Sequence, residues 1–148
     1  MMTLFLVLVG LANAQPGPFG AGVVLGPTTG ASLAWRPSAW NAVQSAIGWD
    51  LSASRIDASV DYLRSLTVVE PVASVRMPVY VGIGGGVVTE EPGMFGEGAG
   101  VAARVPVGVS VFFEQVPIEV FAQVVPQLRV LPNTGFGVDA GVGGRFYF

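Results

Sequence analysis

Residues 136–148 read FGVDAGVGGRFYF, and the alternation within them decides the fold. Taken two at a time, Phe136, Val138, Ala140, Val142, Gly144, Phe146 and Phe148 fall on one face. Gly137, Asp139, Gly141, Gly143, Arg145 and Tyr147 fall on the other. A two-residue period belongs to a β-strand. The first face carries no charge, while the second mixes both signs with glycine. In a soluble sandwich the apolar face would turn inward against a second sheet. A glycine-rich face interrupted by Asp and Arg instead suits the cramped inside of a small closed barrel whose apolar face meets lipid.

The composition agrees. The chain has 148 residues, room for one domain, and is 51% hydrophobic and 11% charged, against about 25% charged in soluble domains. Beyond the first dozen residues no stretch approaches the ~18 apolar residues of a spanning helix. Alternation accounts for this, since it hides half of each strand from hydropathy. A net charge of −3 argues against a nucleic-acid partner. Cys, Lys and His are absent, and all seven basic residues are Arg. Residues 1–14, MMTLFLVLVGLANA, read as a secretory signal peptide with an apolar core and Ala12-Asn13-Ala14 as the cleavage pattern, although no Lys or Arg precedes the core. Residues 15–148 are then the barrel.

Eight alternating segments follow, at 19–25, 31–35, 42–50, 55–62, 77–88, 101–114, 118–130 and 136–148, with 63–76 read as a long connection. The fold class is therefore all-β: an eight-stranded antiparallel up-and-down transmembrane β-barrel, with both termini on one side. The charges supply a check. Arg104, Glu114, Glu119, Arg129, Asp139 and Arg145 all fall on the face opposite the valines, and Asp57 and Asp61 likewise point inward. An outward Arg at the bilayer midplane would cost ~2–4 kcal/mol, which explains the pattern. A lipocalin-type barrel requires the reverse arrangement. Outward aromatics gather in two bands: Phe19, Trp35, Tyr62, Phe113, Phe146 and Phe148 on the side of the termini, Trp49 and Phe136 on the other.

These residues resemble the small eight-stranded bacterial outer-membrane barrels of the OmpA and OmpX kind. The stretches FGAGVVLGPTTGASL, PVYVGIGGG and RVPVGVSVFF further resemble a group of small barrels with a short Gly-Pro-Thr first hairpin, which brings no established activity. The resemblance implies a bacterial outer-membrane location with periplasmic termini. It also implies that Phe146 and Phe148 form the signal read by the outer-membrane assembly machinery, and that outer-membrane lipid and lipopolysaccharide surround the barrel. The long loops of the OmpA kind are missing, so an adhesin role carries over poorly.

Few motifs offer chemistry. Gly82-Ile83-Gly84-Gly85-Gly86 lacks the Lys and following helix of a phosphate loop, and its glycines read as space cleared inside the barrel. Ser32, Ser59 and Ser110 point inward, but no His exists to activate them, which makes a lipid-modifying enzyme a poor fit. Glu90, Glu91 and Glu97 sit in an acidic loop at 89–98 whose spacing matches no calcium site. No cofactor, metal or oligomeric state is specified. The inward charges are expected to pair across the lumen: Glu119 with Arg145, and Asp139 with Arg129 and Arg104. Two function classes fit. One is a structural or interaction barrel filled by its own side chains, favoured by the small strand number. The other is a narrow pore for water, ions or small solutes, favoured by the inward glycines.

Overall fold

The computed structural model describes residues 17–27, 29–50, 55–90, 99–131 and 134–148. The signal segment and the loop residues Glu91 and Glu97 lie outside the described residues. The strands are β1 (Phe19–Leu25), β2 (Thr29–Trp35), β3 (Asn41–Asp50), β4 (Arg55–Val72), β5 (Val75–Glu90), β6 (Ala99–Arg104), β7 (Val107–Phe113), β8 (Ile118–Leu131) and β9 (Gly135–Tyr147). Neighbours pair antiparallel, and β1 pairs with β9 to close the ring. Both β6 and β7 lie between β5 and β8, so they are halves of one strand and the ring is eight-stranded.

Two segments differ from the sequence reading. The expected strand 101–114 is interrupted at Val105-Pro106, because proline has no N–H to give to a ladder. Gly82 N–H still donates to the Pro106 carbonyl at 2.8 Å, and Val105 N–H to Pro126 at 2.9 Å, so the ring stays paired. The supposed connection at 63–76 is strand. β4 and β5 run on to a turn at Ala73 and Ser74. Register shifts between Ser65 and Thr67 and between Val69 and Val72 break the two-residue period there. A bulge inserts a residue and reverses which side chains face out.

The faces sort as alternation requires. Val23, Leu33, Ile47, Val60, Ile83, Val138 and Val142 are exposed on the outside. Tyr80, Phe121, Val125 and Tyr147 are buried within, beside Ser32, Gln44, Asp61, Ser110, Glu119 and Arg145. The inward rings lie against glycines on the adjacent strand. Gly20 is registered with Tyr147, Gly108 with Tyr80 and Gly143 with Phe121. A Cβ at Gly20 would come within 2.8 Å of Tyr147 Cζ, and one at Gly108 within 2.6 Å of the Tyr80 hydroxyl. The glycines thus admit their neighbours' rings, and the volume they free is used.

The stagger of the ring places the polar residues. Registered partners run from Tyr147 through Gly20, Ala34, Gln44, Asp61, Gly84, Arg104 and Gln127, returning to β9 at Gly137, ten residues from the start. Strand number and stagger together set the width of a barrel. The two ends of the described chain meet at one end of the ring, where Phe148 N–H donates to the Phe19 carbonyl at 2.9 Å.

Candidate functional site

The lumen holds one connected polar network, centred on Glu119. Its side chain is fully buried on β8. Oε1 accepts from Ser110 Oγ at 2.6 Å and from Arg36 Nη2 at 3.3 Å. Oε2 accepts from the Tyr147 hydroxyl at 2.7 Å and from Arg145 Nη1 at 3.1 Å. Four donors around one carboxylate offset the cost of removing its charge from water.

Arg145 carries the network onward. Its Nε donates to Ser32 Oγ at 2.9 Å, its Nη2 to Gln44 Oε1 at 2.7 Å, and its guanidinium lies 4.0 Å from the Phe121 ring centroid. Gln44 Nε2 then donates to Asp61 Oδ2 at 3.1 Å and to Gln123 Oε1 at 3.2 Å, where the Tyr80 hydroxyl also donates at 3.1 Å. Asp61 closes the chain, taking Arg104 Nε at 3.0 Å and Nη2 at 3.3 Å. Such a two-pronged Arg–carboxylate contact is geometrically strong. It is possible because Gly84, registered with both Asp61 and Arg104, has no side chain between them. A Cβ there would collide with the Asp61 carboxylate and the Val60 carbonyl.

The structure places the other expected residues as follows. Glu114 is exposed in the turn after β7, outside the lumen, since the strand ends at Phe113. Asp139 forms no ion pair among the described residues: it accepts a 2.8 Å hydrogen bond from Gln127 Nε2, the residue two before Arg129 on the adjacent strand. Arg104 turns away from it, over Gly84, to Asp61. Arg129 lines the lumen and forms no ion pair among the described residues. Asp57 lies 3.6 Å from Arg55 on its own strand. Phe146 pairs with Ala21 and Ile118 on the outward face, and Phe148 is exposed just beyond β9.

Arg36, which lies between the expected strands at 31–35 and 42–50, enters the lumen. Its Nε donates to the Tyr147 hydroxyl at 3.1 Å, and its guanidinium lies 4.6 Å from the Phe112 centroid. Burial disfavours its charge, but Glu119 and Tyr147 outweigh this and hold its pKa above the ordinary value. The signal was present in the sequence. Trp35 faces out, so continuing the alternation by one residue turns Arg36 inward. Gln44 and Gln123 were likewise inward by parity, but only their contacts reveal them as junctions. Among the described residues no three Asp, Glu, His or Cys side chains converge as a metal set.

No family model matches the chain, and a search of curated proteins finds no match. Among solved structures it is similar to the N-terminal β-barrel domain of Pseudomonas aeruginosa OprF. The TM-score is 0.63 at 16% identity, over 90% of this chain and 100% of that one. At this identity the likeness is one of fold. The antiparallel all-β ring fits an OmpA-like barrel.

Proposed function

We propose that the chain is a bacterial outer-membrane β-barrel protein with periplasmic termini. Its lumen is closed by its own side chains, and its role is structural or interactive rather than conductive. The observation that carries the reading is Glu119, fully buried and held by Ser110, Arg36, Arg145 and Tyr147 from three other segments. With Phe112, Phe121 and Tyr147 beside it, this cluster fills the half of the lumen nearest the chain ends. Likeness to the OprF barrel domain supports an outer-membrane address, and the exposed valine and leucine face supports contact with lipid and lipopolysaccharide. Phe146 and Phe148 would present the signal for the assembly machinery.

A narrow pore is the second reading, favoured by a cavity of about 110 Å³, lined in part by charged residues, in the other half of the lumen. Planar-bilayer recording of the refolded protein separates the two. We expect no steady conductance from the unmutated barrel. A large steady conductance, unchanged by Arg36→Ala, would put the pore first.

A further inference from the structure

The lumen half remote from the chain ends is built differently from the closed half. Its cavity of about 110 Å³ is lined by Arg55, Arg104 and Arg129 and by Asp57 and Asp139, with Asp61 held by Arg104 beside it. Several of these groups are already committed. Arg104 gives Nε and Nη2 to Asp61, Arg55 Nη2 lies 3.6 Å from Asp57, and Asp139 takes Gln127. Two donor groups remain. Arg129 forms no ion pair among the described residues, and Arg55 Nε is buried with no hydrogen-bond partner. Arg129 also borders a second hollow, of about 210 Å³, beside Gly135 and Phe136, which gives an approach to it.

Unspent guanidinium donors beside a cavity call for oxygen acceptors, and the planar fork of Arg matches an oxyanion. Among the described residues no three carboxylates converge here, which disfavours a metal ion in the same space. A cavity measured this way needs only ~10–15 Å³ to hold one water, so about 110 Å³ has room for a small ion with several waters. We propose that this cavity binds a small tetrahedral oxyanion of the phosphate class, gripped by Arg129 and Arg55 above the Arg104–Asp61 pair. The assignment holds whether or not the lumen conducts, and whichever side of a membrane this end faces.

The test uses the refolded full barrel in detergent with 15N-labelled arginine, titrated with inorganic phosphate against chloride of matched ionic strength. Saturable shifts of the Arg55 and Arg129 Nε–H resonances are expected, with Arg145 unmoved. Arg129→Gln, outside the buried network, should weaken binding at least tenfold, and Arg64→Gln, on the exposed surface, should not. A parallel titration with dihexanoyl phosphatidic acid separates sources. Saturation by inorganic phosphate supports a free ion, and saturation by the lipid alone supports a headgroup phosphate. Shifts that never saturate with either, saturation by Mg2+ instead, or an affinity within twofold in Arg129→Gln would overturn the proposal.

Discussion

Replacing Glu119 by Ala removes the acceptor that four side chains share. Arg145, 4% exposed, keeps Ser32 and Gln44 but loses its counter-charge. The Ser110 hydroxyl, 0% exposed, loses its partner altogether. Breaking a buried ion pair by removing one member costs ~3–5 kcal/mol, and an orphaned buried hydroxyl adds ~1–3 kcal/mol. Relief comes from Arg36, which sits in a turn with its side chain 14% exposed and can swing toward solvent. Water entering by the same route lowers the penalty further. The expected net loss is therefore about 3–5 kcal/mol. Asp139→Ala, which removes a single hydrogen bond at a half-buried site, should cost about 1–2 kcal/mol. Urea unfolding in lipid vesicles, followed through the three tryptophans, measures both. A loss for Glu119→Ala below about 1 kcal/mol, or below that of Asp139→Ala, would refute the view that this carboxylate organises the lumen.

Gly84→Val should separate Asp61 from Arg104 and cost about 1–3 kcal/mol by overpacking, with strand content retained by circular dichroism. If the outer face meets lipid, Val107→Arg should cost ~2–4 kcal/mol in vesicles, and Gln127→Arg, in the roomier lumen half, less. Equal losses would mean that the faces are assigned the wrong way round. Deleting residues 146–148 removes the Gly20–Tyr147 and Ala21–Phe146 pairs that help close the ring. The truncated chain should fail to reach the outer membrane and should lose its heat-shifted gel mobility; normal fractionation would count against an assembly role for Phe146 and Phe148.

Alternation is a property of each strand alone, which is why the strand regions and the two faces could be read without any knowledge of the partners. The inward set from Gly20 to Tyr147 follows from parity, and so does the exposed valine face. Where local geometry departs from a period of two, that reading stops. The shifts after Ser65 and Val69 hid the last turns of β4, and Pro106 hid the break between β6 and β7. Glu114 shows the same limit at a strand end, since parity continues on paper into a turn where the backbone has already left the ladder.

Which charge meets which is another matter. Arg104 is registered with Gln127, and from the sequence Asp139 looked to be within its reach. The closed ring instead set Asp61 two strands away on the other side, with Gly84 clearing the path. Likewise Arg36 and Glu119, 83 positions apart, meet only because β1, β9 and β8 bring the end of β2 round to the start of β8. Facing in or out is decided within a strand, by the pleat. Pairing across the lumen is decided by closure and by the ten-residue stagger, which no single strand encodes and which only the folded ring possesses.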